Sequence, residues 1–278
     1  MGYFKSILTV LSDSGQKAQL DAAVSIARHE DAHLEVFCLA VDHTQSGFYY
    51  AGASAYVFQE AIDKAIERAG ELQSWACQQL DREDIRYSSD SAVAQIGGLS
   101  TLVGMRARYC DLVVLGRPYD SETSRDSEAI TEAALFEGSC PVLIVPCPIT
   151  EHFGKKILVA WNQSAEALVA VRRALPFLRA ADEVEITVID PSPYGPERSE
   201  PGQALAQMLV RHGVKAEVAV LAKTRPQVSE MIHQRATEIG ADMVVMGAYG
   251  HSRFRQAILG GATRNTLETT RVPVFMAR

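Results

Sequence analysis

Short apolar runs alternate with longer segments of helical spacing along this chain. In the first half the runs predict strands at 5–11, 34–41, 85–88, 111–116 and 141–146. The segments between them predict helices at 16–29, 57–80, 97–108 and 127–136. Because strands and helices alternate, and most of the runs are apolar throughout, the pattern favours a mostly parallel sheet covered by helices.

The second half repeats the same pattern. Residues 155–158, 242–247 and 272–275 match 5–8, 111–116 and 140–143 in composition and order. We therefore predict two α/β domains, 1–148 and 149–278, each an open, doubly wound, five-stranded and mostly parallel sheet with helices on both faces. The first half is longer, which we assign to an insertion at the aromatic segment 43–56 and in the second helix.

Composition narrows the classes of function. The 278 residues are 47% hydrophobic and carry a net charge of −7, whereas a nucleic-acid surface normally needs a basic stripe. No apolar run approaches the roughly 20 residues that span a bilayer. The first residues do not resemble a signal peptide. We expect a cytoplasmic protein with five reduced cysteines, no nucleic-acid partner and no membrane partner.

A glycine-rich segment near the end of the chain is the strongest candidate for chemistry. The predicted strand 241–246 is followed by Gly247, Gly250, Gly260 and Gly261, and then by the predicted start of a helix at 262–267. Glycines let a backbone approach a ligand closely, and a helix N-terminus offers unpaired N–H groups to an anion. This order predicts a phosphate-binding site.

The spacing Gly247-x2-Gly250-x9-Gly260 resembles the nucleotide-binding signature of the universal stress protein family. With the internal repeat, the whole chain resembles two such domains in tandem, packed as a pseudo-twofold dimer. The signature ends in Ser or Thr, but here that position is Gly261 and the nearest hydroxyl belongs to Thr263. The resemblance implies ATP as the ligand and leaves Mg²⁺ open as its companion.

The resemblance also implies which residues contact the nucleotide. Asn162 stands where the family carries an acidic ribose and adenine contact, although helix N-capping is an alternative for it. The backbone of Val188 matches the segment that contacts the adenine edge, and Val188 also fits a plain core position. Arg253 could pair with a phosphate or remain a solvated loop residue. The full set is Ala160, Trp161, Asn162, Val188, Met246, Gly247, Gly250, His251, Arg253, Gly260, Gly261, Ala262 and Thr263.

The first half departs from the signature. After Gly116, the residues 117–120 replace the second glycine, and Asp126, Glu128 and Glu132 crowd the matching helix start. Because carboxylates repel a triphosphate, we expect this half to have lost the phosphate site.

Several functions stay open at this point. We favour ATP binding in the second half, with a stress-response or signalling output and at most slow hydrolysis. The alternatives are an interaction protein of the same fold that binds no nucleotide, and a nucleotide-using transferase. No catalytic residue and no metal site is assigned, because a metal at Asp42 and His43 is a weaker interpretation than polar surface. The apolar runs 141–145 and 272–277 predict that the two halves dock through their fifth strands, and a homodimer is open.

Overall fold

The computed structural model describes residues 2–43, 55–95, 97–119, 126–146, 153–192, 199–248 and 261–278. The chain divides into two compact units, Met1–Cys140 and Pro141–Arg278. The predicted α/β class, with a mostly parallel sheet and helices, is confirmed. Within the described ranges, no helix combines the length and the hydropathy needed to cross a membrane.

The first unit contains a parallel sheet in the order β3-β2-β1-β4. Its elements are β1 (Ser6–Leu11), a short 3-10 turn (Ser14–Gln16), α1 (Lys17–Glu30), β2 (His33–Asp42), α2 (Ala55–Leu80), β3 (Arg86–Gln95), α3 (Leu99–Ala107), β4 (Leu112–Gly116) and α4 (Ser127–Phe136). Strands β1 and β4 are apolar runs because both of their faces are buried.

The second unit has strands in the order β5-β10-β9-β6-β7-β8, of which β5 alone runs antiparallel to its neighbour β10. Its elements are β5 (Val142–Val145), β6 (Lys156–Trp161), α5 (Ala165–Arg173), α6 (Leu175–Ala180), β7 (Glu183–Ile189), α7 (Gln203–Arg211), β8 (Ala216–Leu221), α8 (Val228–Ile239), β9 (Met243–Gly247), α9 (Gly261–Thr269) and β10 (Val274–Ala277). The unit begins at Pro141, and β5 is therefore part of it, whereas the sequence repeat assigns β5 to the first half. The predicted boundary at 148 stays a prediction.

Strand β3 is longer than the sequence predicts. It spans Arg86–Gln95 rather than 85–88, and it pairs with β2 from His33 opposite Arg86 to Asp42 opposite Gln95. Its side chains are alternately exposed and half-buried along the first half of the strand, because β3 lies at the edge of its sheet. A polar edge strand of this kind lacks the apolar run that identified the other strands.

Three aromatic rings pack in a row in the second unit. Phe275 of β10 is fully buried, and its ring centroid lies 5.8 Å from that of Phe177 in α6. Phe177 in turn lies 5.9 Å from Phe153, which precedes β6. Aromatic pairs at these separations add to the stability gained from burial. The row therefore joins the last strand to the helix layer of the same unit.

We expect Phe275→Ala to lower the free energy of unfolding by about 3–5 kcal/mol, because it removes a fully buried ring and leaves a cavity. Chemical denaturation of the full chain, followed by circular dichroism, measures this loss. The matched control is Val220→Ala on the exposed side of β8, where we expect a change within about 0.5 kcal/mol. Equal effects of the two substitutions would contradict the role given to Phe275.

Candidate functional site

Four of the predicted site residues meet at the carboxyl end of the second sheet. In the register of the strands, Trp161 of β6 lies opposite Val188 of β7, and Ala160 lies opposite Met246 of β9. The strands are parallel, so all of these carboxyl ends lie at one edge, where open α/β sheets bind their ligands. Val188 is buried in the core, as its alternative interpretation required, and its backbone lies at the same edge.

The turn that follows β6 is held by its own polar side chains. Asn162 Oδ1 accepts a hydrogen bond from the Ser164 N–H at 3.1 Å, and Gln163 between them adopts a positive φ of 63°. Ser164 is the N-cap of α5, since its Oγ accepts from the Ala167 N–H at 3.1 Å. Capping, which we considered for Asn162, is thus performed by Ser164.

Trp161 presents an unsatisfied donor at this edge. The side chain is 8% exposed, and its indole Nε1 is buried without a hydrogen-bond partner in the part of the chain that the structure describes. A buried donor without an acceptor costs about 1–3 kcal/mol. Ser89 Oγ and Ser127 Oγ in the first unit are also buried without a hydrogen-bond partner among the described residues, so the unpartnered donor does not by itself mark a ligand site.

Gly247 packs directly on the first turn of α5. A Cβ built at this position would lie 2.5 Å from the Ala167 nitrogen and 2.8 Å from the Glu166 carbonyl carbon. No side chain fits there, so the end of β9 and the start of α5 can approach each other only through a glycine. The structure therefore gives Gly247 a packing role that is independent of any ligand.

The first turn of α9 contains residues that the sequence predicts to bind phosphate. Gly261 and Ala262 in its first turn are exposed, and a Cβ built at Gly261 meets no described atom within 4 Å. Thr263, which the sequence suggested as the nearest hydroxyl, is only 5% exposed. The exposed backbone of this turn, rather than the Thr263 side chain, is therefore the surface available to an anion.

Side chains of α8 and of its N-cap residue contact the rest of α9. Asn265 Nδ2 donates to Gln227 Oε1 at 2.8 Å, and His233 Nε2 lies 2.8 Å from Thr269 Oγ1. Burial lowers the pKa of His233, and the positive charge of Arg271 acts in the same direction. Both effects favour the neutral imidazole, which contacts Thr269 of α9.

The remaining predicted residues, Gly250, His251, Arg253 and Gly260, lie outside the described residues, and their roles stay predictions. Within the described ranges, no group of three or more His, Cys, Asp or Glu side chains is arranged to hold a metal ion.

In the first unit, a side chain occupies the place that corresponds to the Gly247 contact. Gln19 of α1 is 4% exposed, and its Oε1 accepts the N–H of Gly116 at 2.8 Å at the end of β4. Its Nε2 donates to Thr9 Oγ1 at 2.9 Å and to the Val10 carbonyl at 2.8 Å. The backbone at the end of β4 is therefore already bonded from within.

Sequence reasoning missed Gln19 and the capping role of Ser164. Gln19 adjoins the apolar face of α1, next to Leu20, and a single polar residue at the edge of an apolar face is the signal that could have identified it. Ser164 is followed by helical spacing, which is the ordinary signal of an N-cap.

Comparison with known proteins matches the second half of the chain to one family. Residues 154–278 match the model of the Universal stress protein family. A universal stress protein of Synechocystis sp. is 27% identical over 177 residues, which cover 60% of this chain. That alignment spans 58% of the relative's own length.

Solved structures extend the likeness in fold to the whole chain. The crystal structure of a universal stress protein from Archaeoglobus fulgidus DSM 4304 gives a TM-score of 0.71 at 15% identity and covers 98% of this chain and 96% of its own. A functionally unknown protein from Pseudomonas aeruginosa PAO1 gives 0.55 at 17% identity and covers 99% and 92%. The family is thus matched in the second half, and the fold over the full length.

The two glycines of the site make a matched pair. We expect Gly247→Ala to lower the free energy of unfolding by about 1–3 kcal/mol, because the new methyl group forces β9 away from α5. We expect Gly261→Ala to leave stability unchanged or to raise it by up to about 1 kcal/mol, because alanine favours the helix and meets no described atom. Denaturant titration of both variants tests this contrast, and a more stable Gly247→Ala would contradict the packing role.

Proposed function

We propose that this chain is a tandem universal stress protein that binds ATP in its second half and acts in stress response or signalling. The family match over residues 154–278 supports the assignment of the second half. The full-length likeness in fold to the Archaeoglobus fulgidus protein supports a tandem arrangement. The observation that carries the proposal is the convergence of the strand ends around Trp161, Val188 and Met246.

The residues at this edge fit a nucleotide. Trp161 Nε1 is a buried donor that lacks an acceptor in the described structure, and a Cβ built at Gly261 meets no described atom within 4 Å. In this proposal the N–H groups of the first turn of α9 hold the phosphates, and the backbone of Val188 lines the adenine pocket. When bound, ATP supplies a hydrolysable phosphate chain with a high negative charge. The chain's own residues bind and orient it, and none is assigned to its hydrolysis.

We expect binding in the second half alone, and the difference between the ends of β4 and β9 supports this expectation. The N–H at the end of β4 is already bonded to the Gln19 side chain, so it is not available to a phosphate. Glu128 lies in the first turn of α4, so this helix start carries an acidic side chain. An acidic start opposes a polyphosphate.

An interaction protein of the same fold is the second candidate. Gly247 is required by the packing of α5, and the Thr263 side chain is buried. Both residues therefore have a structural role that does not depend on a nucleotide, which agrees with this candidate. Four expectations stay predictions for either candidate. They are Mg²⁺ bound with ATP, a cytoplasmic location, docking of the two halves through their fifth strands, and a homodimer.

Calorimetric titration of the purified chain with ATP separates the two candidates. We expect a single ATP per chain, and we expect Gly261→Val to weaken it at least about tenfold, because the side chain would stand where a phosphate meets the backbone. The matched control is Gly97→Val in the first unit, since a Cβ built at Gly97 also meets no described atom within 4 Å. Two equal sites, or no heat of binding at all, would contradict the proposal.

A further inference from the structure

Strand β8 is the edge strand of the second unit. Among the described strands it pairs with β7 alone. At its carboxyl end, the Leu221 carbonyl accepts the Asp190 N–H at 2.8 Å, so the backbone groups of Leu221 point towards β7. Because this direction alternates along a strand, the backbone N–H and C=O groups of every second residue point away from the sheet. These residues are Ala216, Val218 and Val220.

The face of β8 that packs on α7 is apolar and partly exposed. A Cβ built at Gly202, the N-cap of α7, would lie 3.2 Å from Val218 Cγ1, so the Val218 side chain is on the α7 face. Val220 is on the same face, two residues onward, and is 52% exposed. Val210 of α7 is 62% exposed. In the described part of the second unit, Val210 and Val220 are the exposed large apolar residues.

A groove of about 590 Å³ lies between α7 and β8. Its apolar lining consists of Ala206, Val210, Ala216 and Val218. Ala216 is the first residue of β8, whereas the exposed Val220 is near the last. One short strand therefore carries an apolar groove at its amino end and a protruding valine at its carboxyl end.

The edge strand of the first unit is protected in ways that β8 is not. Strand β3 carries Asp90 between serines, and Gln73 of α2 contacts it. Gln73 Nε2 donates to the Ser89 carbonyl at 3.0 Å, and Ser91 Oγ donates to Gln73 Oε1 at 2.7 Å. Charges and covering side chains are the usual means by which proteins keep an edge strand from pairing. An edge that is apolar and open instead favours pairing with another strand.

We propose that two copies of this chain associate through β8, as an antiparallel strand pair about a twofold axis at Val218. In this register Val218 lies opposite Val218 of the second copy, and Ala216 lies opposite Val220 of the second copy. The outward backbone groups then meet as hydrogen-bonded pairs. Val220 of each copy enters the groove beside Ala216 of the other.

A second copy is the occupant because β8 is complementary to itself. A twofold contact uses the same patch on both subunits, so the patch must carry both the protruding and the receiving feature, as β8 does. An axis at Glu217 would place two like charges opposite each other, which is unfavourable. An axis at Ala219 would leave the groove at Ala216 unfilled. The inference does not depend on nucleotide binding.

Sedimentation velocity of the full chain across the micromolar range tests the association. We expect a monomer–dimer equilibrium in this range, because a six-residue strand and one groove make a small interface. We expect Val220→Lys to raise the dissociation constant at least about tenfold, because it places a charge in the apolar groove. The control is Met105→Lys in α3, where a side chain of similar exposure, 57%, lies in the first unit and should leave the equilibrium unchanged.

A charge pair at Ala219 tests the register. Ala219 of one copy lies opposite Glu217 of the other in the proposed pair, and this contact occurs twice in the dimer. We therefore expect the dissociation constant of Ala219→Glu to exceed that of Ala219→Lys by about tenfold, with both variants folded by circular dichroism. Equal constants for these variants, a native chain that is monomeric throughout the range, or a dimer that Val220→Lys leaves intact would overturn the inference.

Discussion

The close approach of β9 to the first turn of α5 is the constraint on which the second unit depends. Gly247 permits it, because any side chain at this position would collide with the backbone of Glu166 and Ala167. The contact brings the ends of β6 and β9 and the N-cap Ser164 into one small region. The surfaces that we assign to ligand binding, at Trp161 and Asn162, are built on this contact.

The two units contain matching strand pairs, β1 with β4 in the first unit and β6 with β9 in the second. The contacts at the carboxyl ends of these strands differ. In the first unit the Gln19 side chain fills the space and bonds the N–H of Gly116, so the strand end is complete without a ligand. In the second unit backbone packs on backbone, and the indole N–H of Trp161 is left over. The two strand ends therefore differ in what packs on them: a side chain bonds the end of β4, and the backbone of α5 packs on the end of β9.

The sequence predicted most strands because their apolar runs are long and their order is repeated, as in β1 and β6. It underestimated β3, whose polar residues fit an edge position that periodicity alone cannot identify. At the site, the ligand contact that the glycine spacing predicts for Gly247 stays a prediction, and the structure adds a packing contact on α5 that the spacing does not encode. The orientation of the Asn162 amide is set by its local bond to the Ser164 N–H. The role of Gln19 depends on Gly116, which is distant in the sequence. No pattern in the chain encodes either contact directly.

Hydrogen–deuterium exchange of the full chain with and without ATP tests the central claim most directly, because it reports where a ligand protects the backbone. The account predicts slower exchange in the turn after Trp161 and in the first turn of α9, with no change at Gly116 or in the turn after β1. Protection in the first unit, or no protection in either unit at saturating ATP, would contradict the assignment of nucleotide binding to the second half.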